Sequence, residues 1–74
     1  MKLSRYLGER GESQAGFARR AGLDQRTVNR VARGEGCNAE TALTIIRASH
    51  DQPTPGGGSV SLEDLVPDGD EAAA

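Results

Sequence analysis

Aromatic residues are almost missing from this 74-residue chain, which has one Tyr, one Phe and no Trp. Its core must therefore be assembled from Ala, Val, Leu and Ile, and a chain this short buries only a modest core. A single cysteine, Cys37, excludes an intrachain disulfide. With a single histidine, His50, it also leaves no all-Cys/His zinc site. No apolar run approaches the length of about 20 residues that a membrane-spanning helix requires. The first residues, MKLSRYLGER, lack the hydrophobic stretch of a signal peptide. No carboxylate pair, metal-ligating cluster or nucleophile–base constellation stands out. The expectation is one domain in a reducing cytoplasm, without a membrane, a metal, a cofactor or an enzymatic activity.

What is present is charge, unevenly placed. The formal net charge of −2 averages two unlike halves. Residues 1–34 carry eight basic groups against three acids, and residues 35–74 carry one basic group, Arg47, against eight acids, so the halves stand at +5 and −7. Such asymmetry suggests a half that meets a polyanion and a half that solubilises or repels. The basic half peaks in QAGFARRAGLDQRTVNRVARG, residues 14–34, where Asp24 is the only acid.

Turn and cap signals divide the chain into helices. Leu3, Tyr6, Leu7 and Arg10 fall on one face of a helix over 2–10 that Gly11 ends. Ser13 is an N-cap for a helix over 14–21 whose inner face is Phe17, Ala18 and Ala21, with Gly22 as its stop. Leu23 plugs the turn, and Asp24 caps a third helix over 25–33, with Val28, Val31 and Ala32 inward. Asn38 caps a fourth helix from Ala39 to about Ser49, read with Ala39, Ala42, Leu43 and Ile46 on its inner stripe and Ile45 looking outward. Residues 50–58 read as a Pro/Gly linker. Ser61 and Asp64 resemble a capping box, and Val60 and Leu65 have the hydrophobic-staple spacing, giving a short helix over 62–66 before Pro67. Residues 68–74 read as a disordered acidic tail.

Two short helices joined by a tight turn containing Gly form the helix-turn-helix unit. That geometry requires a small residue where the helices cross (Ala18), a glycine in the turn (Gly22) and branched apolar anchors on the second helix (Val28, Val31). Residues 14–34 resemble the helix-turn-helix of the Cro/phage-repressor (XRE-like) family through Gln14, Ala18, Gly22, Leu23, Gln25, Val28, Val31 and Gly34. The segment GGGSVSLEDLVP resembles the C-terminal extension of short prophage Cro-like and YdaS-like regulators. The resemblance implies an all-α, lambda-repressor-like bundle of four to five helices, operator DNA as ligand, and a homodimer. It also implies that Gln14 braces the side chain at Gln25.

The residues give a consistent reading by themselves. With Val28 and Val31 inward, Arg26, Asn29, Arg30 and Arg33 share the opposite face at about 100° per residue. A solvated face more often mixes both charges. An unneutralised Arg/Asn stripe suits the major groove, where Arg bonds guanine and Asn or Gln bonds adenine. Gln25, Arg26, Asn29 and Arg30 are therefore the expected base readers, those of the first turn reaching deepest. Gln14, at a helix start, and Arg33, at a helix end, are expected at phosphates. Thr27 serves either DNA or the cap. Asn38 caps the fourth helix and is placed to meet the backbone. Lys2, Arg5 and Arg20 complete the backbone-contact set; Arg19 lies about 100° from Arg20, so the two do not share a face.

One recognition helix contacts few base pairs, and two-fold pairing on a palindrome is the usual remedy. Ile45, Val60, Leu62, Leu65 and Val66 are the apolar groups available for a dimer contact. The segment 59–67 either builds that contact on the fourth helix or caps its own subunit's core, and the sequence leaves both open. The leading functional reading is a sequence-specific DNA-binding repressor or autoregulator of the phage or prophage kind. The alternative is an antitoxin-type protein that neutralises a partner protein and autoregulates its operon.

Overall fold

Every helix start predicted from a capping residue is found in the computed structural model, which describes residues 1–65. The elements are α1 (Leu3–Arg10), α2 (Gln14–Ala21), α3 (Gln25–Ala32), α4 (Ala39–Asp51) and a 3₁₀ turn, Leu62–Leu65. The fold of the described residues is thus a small all-α bundle. Ser13 Oγ accepts from Gly16 N–H at 3.0 Å, Asp24 Oδ1 from Arg26 N–H at 3.4 Å, and Asn38 Oδ1 from Thr41 N–H at 2.7 Å. Each bond satisfies a backbone donor that a helix start leaves without a partner. Gly11 and Gly22, with φ of 68° and 74°, end α1 and α2 in the left-handed conformation, where a Cβ would be strained.

The core draws on every element. Leu3, Tyr6 and Leu7 of α1, Phe17 and Ala18 of α2, Val28 and Val31 of α3, and Ala42 and Ile45 of α4 are buried together with Val60 and Leu65. The two aromatic rings meet edge to face, 5.9 Å between centroids at 75°, a geometry that adds about 0.5–1.5 kcal/mol to area burial.

The inner stripe of α4 differs from the one expected. Ile45, read as outward-facing, is fully buried, whereas Leu43 is 53% exposed. The helix is turned so that Ala42, Ile45 and Ser49 face the core, an i, i+3, i+7 set. Ser49 disguises that set because it is polar. Its hydroxyl is satisfied in place, donating to Ile46 O at 2.8 Å and accepting from Val60 N–H at 3.0 Å.

The chain beyond α4 belongs to the same core. Within the stretch expected as a linker, Thr54 is buried, its N–H donates to Gly58 O at 2.9 Å, and its Oγ1 accepts from Gly58 N–H at 2.8 Å. This hydrogen-bonded return delivers Val60 and Leu65 into the core. The Ser61–Asp64 box is half formed: Asp64 Oδ2 accepts from Ser61 N–H at 3.1 Å and Ser61 Oγ at 2.7 Å. The same oxygen accepts from the Met1 ammonium at 3.0 Å. These donors, the Ser61 hydroxyl foremost, hold the Asp64 carboxyl down at about 2. Val66, the predicted end of the short helix and its Pro67 stop, and the tail 68–74 lie outside the described residues.

Candidate nucleic-acid interface

α2 and α3 pack closely, with only Gly22, Leu23 and Asp24 between them. Leu23 turns inward against the core and its N–H donates to Ala18 O at 2.8 Å, so the turn has little freedom. Val28 and Val31 fix the roll of α3 about its axis. The four predicted base readers, Gln25, Arg26, Asn29 and Arg30, are consequently all exposed. Thr27 is half-buried at the edge of this face. With Arg30, Val31, Cys37, Asn38 and Thr41 it lines a recess of about 190 Å³ between α3 and the start of α4. Asn38 is thereby brought beside the α3 surface. Burial pushes the Cys37 thiol up, which disfavours the reactive thiolate.

The arginines separate into two groups. Arg5 pairs with Glu9 at 2.7 Å, Arg10 with Glu12 at 3.2 Å, Arg20 with Glu12 at 2.9 Å and Arg33 with Glu35 at 2.7 Å. Among the described residues, Arg19, Arg26, Arg30 and Arg47 have no carboxylate within ion-pair distance, and Arg26 and Arg30 stand on the exposed face of α3.

Arg20 is a correction to the expected backbone-contact set. It is turned inward, its guanidinium 5.0 Å from the Phe17 ring centroid. Its Nη1 donates to Ala48 O at 2.7 Å and its Nη2 to Tyr6 Oη at 2.9 Å, besides the two bonds to Glu12. The hydrogen bond from Arg20 is the main cause that lowers the Glu12 carboxyl below its ordinary value. A cation so committed is not available to a phosphate. Arg10 plays a parallel part, donating to Gln52 O and Pro53 O, both at 3.1 Å. The spacing i, i+7 placed Arg10 on the buried face of α1, and this was the signal for its role; nothing local to α2 distinguishes Arg20 from Arg19.

Gln14 is also placed differently from the resemblance. Its Oε1 accepts from Asn29 Nδ2 at 3.0 Å, so it braces Asn29 rather than Gln25. Lys2, at the N-cap of α1, and Arg5, on that helix, are both exposed. Of the predicted dimer residues, Ile45, Val60 and Leu65 are consumed by the chain's own core, and Leu62 is 60% exposed. The large apolar side chains left at the described surface are Leu43 and Leu62.

The larger depression, about 620 Å³ and lined by Arg20, Ala21, Thr44, Arg47, Ala48, His50 and Asp51, includes none of the α3 side chains. Among the described residues no group of three or more His, Cys, Asp or Glu is placed to hold a metal ion, and no helix is long and apolar enough to cross a membrane. Comparison with models of known families, with curated proteins and with solved structures gives no match.

Proposed function

We propose that this chain is a sequence-specific, double-stranded-DNA-binding transcriptional regulator, a repressor or autoregulator that reads the major groove of a palindromic operator as a homodimer. The observation that carries the proposal is the exposed face of α3. Gln25, Arg26, Asn29 and Arg30 stand on it together, and its two arginines have no carboxylate partner among the described residues, while Arg5, Arg10, Arg20 and Arg33 all have one. An isolated cationic face leaves electrostatic free energy unused that a polyanion would recover through counterion release. Paired with amides, it also carries the donor and acceptor types that distinguish base pairs. α2 packs against α3 as a positioning element, and the α4 cap at Asn38 supplies a helix N-terminus beside the same face.

The regulator reading is preferred over the antitoxin reading, in which the acidic C-terminal region grips a basic partner, because Asp64 of that region is already bonded to the Met1 ammonium and to Ser61 of its own chain. The test is fluorescence anisotropy on a labelled random-sequence duplex pool, with salt varied, followed by rounds of enrichment. Binding that weakens steeply with salt and enriches a two-fold-symmetric sequence, half-sites about 34 Å apart, supports the proposal. Absence of duplex binding at low salt refutes it.

A further inference from the structure

The bond between Asn29 and Gln14 links the middle of α3 to the first residue of α2. Asn29 Nδ2 donates to Gln14 Oε1 at 3.0 Å across fifteen residues of sequence. Exposed amide side chains ordinarily sample several rotamers, and this bond confines both ends at once. Gln25, on the same exposed face, has no side-chain hydrogen bond among the described residues. The amide of α3 that is held in place before any ligand arrives is therefore Asn29.

An asparagine amide offers two N–H donors and one carbonyl acceptor. The bond to Gln14 takes one N–H and leaves the other together with the free Oδ1. One donor and one acceptor on the same amide are complementary to N7 and the N6 amino group of adenine in the major groove. Guanine presents two acceptors there, N7 and O6, so Oδ1 would face a second acceptor. Gln14 is left in the converse state. Its carbonyl is engaged and its amide N–H groups remain, which suits a phosphate oxygen beside the start of α2.

We infer that Gln14 is a positioning residue that holds Asn29 to read one adenine in each half-site. This rests on the DNA-binding reading above and deepens it by naming the base and the residue that sets its reader. Gln14 acts through its Oε1 acceptor, so Gln14→Glu preserves the device and Gln14→Ala removes it. Both side chains lie at the surface, and melting curves verify that the variants fold.

The experiment uses the full chain and the duplex enriched from the random pool. Each adenine of that duplex is replaced in turn by 7-deazaadenine, which lacks the N7 acceptor. For wild type, one position per half-site is expected to show an affinity loss of about tenfold. Asn29→Ala shows no loss at that position. Gln14→Ala retains only a small part of it, and Gln14→Glu retains it in full although its overall affinity falls from charge repulsion. The inference is overturned if Gln14→Ala keeps the full 7-deazaadenine loss, or if no adenine position loses its sensitivity in Asn29→Ala. A pool that enriches no sequence overturns the DNA-reading proposal itself, a distinguishable failure that takes this inference with it.

Discussion

Arg20 holds Glu12 with two arms, Nε on Oε2 at 3.0 Å and Nη2 on Oε1 at 2.9 Å, while its third nitrogen bonds Ala48 O at 2.7 Å. One side chain of α2 thus joins the α1–α2 turn to the last turns of α4, and both charged groups are largely shielded, at 19% and 15% exposure. Removing Glu12 leaves the shielded Arg20 cation without a carboxylate, and removing Arg20 leaves Glu12 only its longer bond to Arg10 and takes the donor from Ala48 O. Arg20→Ala should cost about 2–4 kcal/mol in urea denaturation. Arg19→Ala, one residue away and exposed, should stay within about 0.5 kcal/mol. Equal effects would show that the Arg20 network contributes nothing.

Acid should weaken the fold through Asp64. Its carboxyl is held at about 2 against an ordinary 3.8, chiefly by the Ser61 hydroxyl and then by the Met1 ammonium. The folded carboxylate gives up its proton more readily than the unfolded one. Its stabilisation is therefore fully present above about pH 4 and is lost as pH falls toward 2. The amount is about 2 kcal/mol. Glu12, also lowered, adds a loss of the same sign as pH drops below its ordinary value of 4.5. Stability measured against pH should fall less steeply between 4 and 2 in Asp64→Asn than in wild type; an unchanged acid limb would exclude the Asp64 contribution.

The helix starts, the glycine stops of α1 and α2 and the exposed face of α3 were legible because they depend on local chemistry, whereas α4 runs on to Asp51, into the stretch expected as linker. Ser13, Asp24 and Asn38 act on backbone N–H groups within three residues, and Gly11 and Gly22 act through their own φ. The interior of α4 was misread because its pattern contains Ser49, whose burial depends on Val60, eleven residues away in sequence. The role of Arg20 was hidden for the same reason: its partners Tyr6 and Ala48 lie fourteen and twenty-eight residues away. Arg19 and Arg20 differ only in which way α2 is rolled by Phe17 and Ala18. The Gln14–Asn29 bond requires the crossing of two helices, which no spacing along one helix encodes.

Ile45 and Leu43 give the clearest test of how α4 sits. Ile45 is completely buried, so Ile45→Val should cost about 1 kcal/mol and Ile45→Ala about 2–5 kcal/mol. A domain of this size holds only a few kcal/mol in total, so Ile45→Ala should be substantially unfolded at 37 °C by circular dichroism. Leu43→Ala should leave monomer stability nearly unchanged. The reverse ranking would restore the inner stripe first read from the sequence.

The proposed homodimer has few apolar groups left to use. Leu43 and Leu62 are the large hydrophobic side chains exposed among the described residues. Sedimentation equilibrium of wild type should give twice the chain mass, and the pair Leu43→Glu with Leu62→Glu should give the monomer mass with unchanged helicity. A dimer that survives both substitutions places the contact elsewhere, and a wild type that is monomeric at about 100 µM removes the homodimer from the proposal.

Arg26 and Arg33 were read from one stripe of α3, and the structure makes them unequal. Arg26 lies in the first turn with no acidic partner among the described residues. Arg33 follows the last turn and bonds Glu35 at 2.7 Å. Both ends of that pair are exposed, so it contributes at most about 1 kcal/mol to stability, and the Glu35 carboxylate offsets part of the charge that Arg33 can offer a phosphate. Arg26→Ala should relax preference at one base position, costing roughly 1–3 kcal/mol on the preferred duplex and far less on random DNA. Arg33→Ala should weaken both duplexes alike and slightly, and Glu35→Gln should strengthen both by freeing Arg33. Competition binding of the three variants on the enriched and the scrambled duplex separates these outcomes. Equal losses for Arg26→Ala on the two duplexes would reduce Arg26 to a phosphate contact.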